Sequence, residues 1–170
     1  MPTDPIVRPE NHHDYGAIGN VITTAFSGKP YADGDEAELV ETLRRANALS
    51  VSLVAELDGI VVGQVAFSPA QASDGARGWY GLGPVAVLPA HQRVGIGSKL
   101  VRAGLQVITD LGANGCILVG DPGYYARFGF RLSPSNAPIG EPTEFFMVKL
   151  IGHRLPTGPI SFHGAFASGA

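Results

Sequence analysis

At 170 residues, with 45% hydrophobic and 16% charged side chains, the chain carries enough apolar surface for one domain, residues 1–170, with a sizeable core. Its formal net charge of -3, with 12 Lys and Arg scattered along the sequence, lacks the clustered basic face that nucleic acid requires. No apolar run approaches a membrane span, and residues 1–9 carry Asp4, Arg8 and prolines instead of a basic and then apolar signal segment, so a cytoplasmic protein with no membrane partner is expected.

The pattern predicts a first strand over residues 5–8, followed by a helix over 11–26. There Tyr15, Ile18, Val21, Ile22, Ala25 and Phe26 recur at steps of three and four, and Asn11 offers a cap. A Gly, Pro and Asp loop covers 27–35. The next helix, 36–46, sets Leu39, Val40 and Leu43 against Glu41, Arg44 and Arg45. Residues 51–57 and 60–67 are β-rich runs joined by Asp58-Gly59, a strong hairpin signal. A polar loop over 71–77 leads to a strand over 79–88. Gly83-Pro84 inside that strand predicts a bulge or splay, because proline donates no ladder hydrogen bond; an ordinary edge-strand proline is the other reading.

The strand ends at Pro89, and a polar loop follows, Ala90-His91-Gln92-Arg93-Val94-Gly95-Ile96-Gly97-Ser98. Leu100, Val101, Ala103, Gly104, Leu105, Val107 and Ile108 then continue on helical spacing. Strand, glycine loop and helix start form an anion site in principle: glycine lets a ligand approach the backbone, and the first helical turn offers unpaired N–H groups and partial positive charge. A nucleotide P-loop needs G-x-x-x-x-G-K-[ST], and here Ser98-Lys99 stand in the wrong register. A dinucleotide G-x-G-x-x-G would place glycine where Leu100 stands. Downstream, residues 116–119 read as a buried strand in which Cys116 is a small apolar residue. It runs into Gly120-Asp121-Pro122-Gly123-Tyr124-Tyr125-Ala126-Arg127-Phe128-Gly129-Phe130. Two further strands, 130–132 and 144–151, are split by a Pro and Gly rich connection at 134–142. A low-charge tail from 156 to 170 carries Ile160, Phe162 and Phe166 as material for an edge strand.

Gln92-x-x-Gly95-x-Gly97 resembles the [QR]-x-x-G-x-[GA] acetyl-coenzyme A loop of the GCN5-related N-acetyltransferase (GNAT) superfamily. Tyr125 to Phe130 matches its Y-x-x-x-G-F segment, in the right order and one helix and one strand later. The G-D-P-x-Y-Y-x-R-F-G-F form is similar to a bacterial subgroup of N-acetyltransferases of undefined substrate. The resemblance implies an α/β (α+β) acyl-CoA N-acyltransferase fold: a mixed, mainly antiparallel central sheet with helices on both faces, in the order β-α-α-β-β-β-α-β-α-β-β.

It also implies acetyl-CoA as co-substrate and an amine-bearing small molecule or a peptide or protein amine as acceptor. A homodimer through the C-terminal strands is left open. The backbone N–H groups of Arg93, Val94, Gly95, Ile96, Gly97 and Ser98 are candidates for the pyrophosphate, with Gln92 opening the motif. The main chain of Val85, Ala86 and Val87 would pair with the pantetheine arm, and a backbone N–H near Val85 would meet the thioester carbonyl. Tyr125 maps onto the family's tyrosine general acid, a phenol protonated at neutral pH and able to donate to a departing thiolate. Tyr124 is expected to point elsewhere, Phe128 is a core or cofactor-wall aromatic, and Arg127 is a solvated residue or a phosphate partner.

The base is less legible. Many members place a Glu on the strand before the cofactor loop, yet residues 79–88 contain no acid; Glu56, on a neighbouring strand, and relayed water remain as candidates. His12-His13 have no metal spacing, and His91, His153 and His163 are isolated, so no metal is expected. Asp33, Asp35 and Glu36 are candidates to attract a cationic amine, against the plainer reading of solvated loop acids. A non-catalytic acyl-CoA-binding sensor module is the competing function; it would bind cofactor without releasing thiol.

Overall fold

The computed structural model describes residues 4–30, 32 and 34–167. In chain order its elements are β1 (Ile6–Pro9), α1 (Tyr15–Phe26), α2 (Glu36–Arg45), β2 (Val51–Leu57), β3 (Ile60–Pro69), β4 (Gln71–Ala72) and β5 (Trp79–Val87). Then follow α3 (Ile96–Asp110), β6 (Gly115–Val119), α4 (Pro122–Tyr125), β7 (Arg131–Leu132), β8 (Phe146–Leu150) and β9 (Ile160–Ser161). Seven strands form one sheet in the order β1-β2-β3-β5-β6-β8-β7, with every pair antiparallel except β5 and β6. This is the mixed, mainly antiparallel sheet expected. No helix is long and apolar enough to cross a membrane among the described residues.

The central strands are largely apolar on both faces because both are covered. Leu53 and Ala55 of β2, with Val65 and Phe67 of β3, pack toward α3, joining Ile96, Leu100, Val101, Leu105 and Ile108. Val54 and Ala66 point the other way and pack with Ile18, Val21, Ile22 and Ala25 of α1 and Val40 of α2. Helix α3 approaches β3 closely because residue 104 has no side chain: a Cβ on Gly104 would lie 2.2 Å from Phe67 Cε1. Asp58 and Gly59 both take positive φ (52° and 81°), the geometry of a tight two-residue hairpin turn.

Local details depart from the periodicity. Asn11 caps a short 3-10 turn, not α1: its Oδ1 accepts from the His13 N–H at 2.9 Å, its own N–H donates to Asp14 at 2.8 Å, and α1 begins at Tyr15. The polar loop after β3 contains β4, and the tail adds no edge to the main sheet. Instead β9 pairs with β4 as Gln71↔Ser161 and Ala72↔Ile160, a separate two-stranded piece.

This small sheet caps a third apolar group, in which Ala72, Trp79, Ile117, Phe146, Val148 and Ile160 are buried and Phe162 packs against them. Polar staples hold the tail there. Buried Asn136 donates to the carbonyls of Pro156 (2.9 Å) and Gly158 (2.8 Å), and Asp74 accepts from the Thr157 N–H (3.0 Å) and from Arg154 (2.9 Å).

Candidate functional site

Strands β5 and β6 run side by side only at Trp79↔Gly115, Tyr80↔Cys116 and Gly81↔Ile117, although β5 continues to Val87 and β6 to Val119. Beyond Gly81 they part into a V-shaped cleft. The cause lies at Gly83-Pro84: β3 pairs Phe67 with Leu82 and Val65 with Val85, so Ala66 stands opposite two residues of β5. That bulge turns β5 away from β6, the splay expected from the proline.

Register then decides what lines the cleft. The Leu88 N–H donates to the Val62 carbonyl at 2.8 Å, which makes Gly63↔Val87 a pair that exchanges no hydrogen bonds. Two residues back, Val65↔Val85 is of the same kind. The N–H and C=O groups of Val85 and Val87 therefore point away from β3 and into the cleft, where β6 does not pair, while those of Ala86 are turned to β3. One of these groups is already used: the Gln92 side-chain amide donates to the Val87 carbonyl at 2.8 Å. Gln92 thus anchors the following loop to the end of β5.

That loop delivers α3. Arg93 (φ 67°) and Gly95 (φ 91°) both adopt the left-handed conformation, which folds residues 93–95 back so that the helix starts at Ile96. The first helical hydrogen bond runs from the Lys99 N–H to the Gly95 carbonyl, 3.0 Å. Among the described residues no side chain caps the N–H groups of Ile96, Gly97 and Ser98, and no acid stands in the first turn. These donors at the positive end of a four-turn helix fit an anion such as a pyrophosphate. Val94 is exposed and Ile96 is buried in the core.

Helix α4, at the end of β6, forms the opposite bank. Asp121 caps it, accepting from the Gly123 N–H at 2.9 Å. The ring of Tyr125 lies on Gly120, where a Cβ would come 2.5 Å from Tyr125 Cε2, and it stands 6.2 Å from the ring of Phe130. Tyr124, expected to point elsewhere, reaches across to the first turn of α3: a Cβ on Gly97 would lie 3.7 Å from its hydroxyl and 3.7 Å from Val87 Cγ2. The Arg127 guanidinium sits 4.4 Å over the Tyr124 ring while its Nε donates to the Tyr124 carbonyl at 2.9 Å. Phe128 is buried, packed against both tyrosines and covered by Arg102 at 4.9 Å.

The remaining candidates lie elsewhere. Glu56 is two strands from β5 and binds Arg8 at 3.0 Å; Arg8 also holds Asp14 at 2.8 Å and keeps its carboxyl below the usual range. That placement removes Glu56 as a base for the cleft. Asp33 lies outside the described residues; Asp35 directly precedes α2 without a capping hydrogen bond from its side chain, and Glu36 opens the helix, where negative charge suits the helix dipole. Cys116 is fully buried, and burial pushes its thiol well above the usual range, so it is inert packing.

The acetyltransferase (GNAT) family profile matches residues 18–130. The chain is 39% identical to the uncharacterized N-acetyltransferase YhbS of Escherichia coli K12 over 129 residues, 75% of this chain and 74% of YhbS. Among solved structures, a GNAT family acetyltransferase from Brucella melitensis in complex with acetyl-CoA superposes with a TM-score of 0.85 at 44% identity. That match covers 95% of this chain and 97% of the other. E. coli YhbS in complex with CoA superposes at 0.89 with 29% identity, covering 98% and 94%.

Proposed function

This chain belongs to the GNAT acetyltransferase family, and from that premise we propose that it transfers the acetyl group of acetyl-CoA to a primary amine by direct attack. The observation that carries the reading is the cleft itself: a sheet parted after Gly81, with the main-chain groups of Val85 and Val87 turned inward and an uncapped helix N-terminus at its mouth. Those inward groups suit the amides of a pantetheine arm, and the N–H groups of Ile96, Gly97 and Ser98 suit its pyrophosphate. Val85 would also donate to the thioester oxygen, stabilising charge that builds there as the amine approaches.

In this reading the amine nitrogen forms a bond to the acetyl carbon as the carbon–sulfur bond breaks. Tyr125 gives its phenolic proton to the departing thiolate, and the proton lost by the amine leaves through water, since β5 supplies no acid and Glu56 is held by Arg8. Tyr124 joins the cofactor wall, closing the mouth against Gly97.

The test is thiol release from acetyl-CoA with a panel of amines, amino acids, polyamines, aminoglycosides and peptide N-termini, with cofactor affinity measured by calorimetry. Amine-dependent thiol release supports the proposal. Tight binding with no release from any amine would overturn it in favour of a cofactor-sensing module.

A further inference from the structure

On the face of the sheet opposite α3, the apex of the cleft is covered by the tail. Phe162 lies on Gly81, the last residue of β5 to pair with β6: a Cβ there would come 2.8 Å from Phe162 Cδ1 and 3.3 Å from Cε1. Phe162 meets the buried Phe146 edge-on at 6.3 Å and stacks on Phe166 at 5.1 Å, and the segment Gly164–Ala167 then reaches α2.

The side chains on this bank can be placed by pairing. Phe146 stands opposite Val119, so Val119 projects from the same face as Phe146 and Phe162, two residues beyond the buried Ile117. It is 62% exposed, at the point where β6 has left β5. Ser68, opposite Gly81 on β3, also projects to this face; its hydroxyl is buried and meets no hydrogen-bond partner among the described residues.

A cofactor lying along Val85 and Val87 on the side of α3 leaves the opposite face for the amine. Resting on the acetyl-transfer reading above, we propose that Phe162, backed by Phe166, is an acceptor-specificity residue: it walls the closed end of the cleft and selects amines bearing an apolar or aryl substituent. Val119 supplies the facing apolar surface. An aryl group would lose its water against Phe162 and Val119, whereas a second ammonium group would lose hydration with no carboxylate offered by these side chains.

The experiment compares 2-phenylethylamine with putrescine as acceptors, by thiol release at saturating acetyl-CoA, for wild type, Phe162→Ala and Phe162→Leu. Cofactor affinity by calorimetry and thermal melting check each variant. Wild type should favour 2-phenylethylamine in kcat/KM by about tenfold or more, the scale of discrimination a hydrophobic pocket provides. Phe162→Ala should erase that preference with acetyl-CoA affinity unchanged. Phe162→Leu, which keeps most of the volume but not the ring, should fall between, and it carries the test should the alanine variant not fold. Thiol release that favours putrescine, or a preference unmoved by both variants, overturns the inference while the transferase reading stands. Release with neither of these amines overturns this inference, and the transferase reading falls with it only if the wider amine panel also releases no thiol.

Discussion

Gly97 faces Tyr124 across the mouth of the cleft, with 3.7 Å between the tyrosine hydroxyl and the place where a Cβ would project. The two residues belong to opposite banks, the first turn of α3 and helix α4 after β6, so the width of the entrance is set where they meet. The 3.7 Å is ordinary contact distance, so a Cβ at 97 is accommodated without moving the backbone.

Gly97→Asp should therefore fold normally yet place a carboxylate among the N–H groups proposed to hold the pyrophosphate. Like charge at such a separation in a partly screened site costs about 2 kcal/mol or more. Calorimetry should show acetyl-CoA affinity weakened by about thirtyfold with thermal stability retained. Unchanged affinity in a folded variant would remove this loop from the cofactor site.

Tyr125→Phe keeps the ring on Gly120 and against Phe130 and deletes only the proton donor. Cofactor affinity should hold while turnover on an identified amine falls by roughly 10²-fold, the usual contribution of a general acid. Turnover within about twofold of wild type would reduce Tyr125 to packing.

Gly104→Ala tests the close approach of α3. Alanine gains about 1 kcal/mol of helix propensity over glycine, but its Cβ would fall 2.2 Å from a fully buried phenylalanine ring, and overpacking of that kind costs about 1–3 kcal/mol. Net destabilisation is expected, read as a lower urea midpoint; a rise in the midpoint would mean that Phe67 yields freely.

Asp74 provides a pH signature for the tail. The Thr157 and Ala76 N–H groups, then Arg154, hold its carboxyl down at about 2. A lowered carboxyl contributes stability that is fully present above its unfolded value, about 4, and is lost as pH falls through the folded value. Urea titrations of wild type and Asp74→Ala should differ by a constant amount above about pH 4 and converge near pH 2. A gap that persists undiminished at pH 2 would show that the carboxylate charge is not what anchors the segment.

Much of this architecture was legible because its signals are local. The glycine pair at the start of α3, the apolar stripe of that helix and the proline that parts β5 from β6 each act within a few residues, and each reads out as expected. What escaped depends on distant partners. Strands β4 and β9 are two residues each, too short for any period, and they exist because Asp74 and Asn136 pin the tail beside Gln71 and Ala72. Glu56 has the right residue type for a base, yet Arg8, 48 positions away, claims it. Helical stepping alone does not place Tyr124: α4 lasts four residues before tightening to a 3-10 turn, and the two adjacent rings meet edge-on at 4.9 Å on one side of the cleft.

The inward-facing amides of Val85 and Val87 make β5 an edge strand in the interior of a sheet. An exposed edge invites pairing with another chain. Here the opening is bounded by α3 on one face and the tail on the other, so a full strand with its side chains meets walls where a slender, unbranched arm carrying its own amides does not. In the proposed complex acetyl-CoA acts as the missing rung of the ladder, and occupancy stabilises the folded state by RT ln(1 + [L]/Kd). Part of the cohesion of this fold is then supplied by its co-substrate, and the melting temperature should report how much of the cofactor pool the protein has captured.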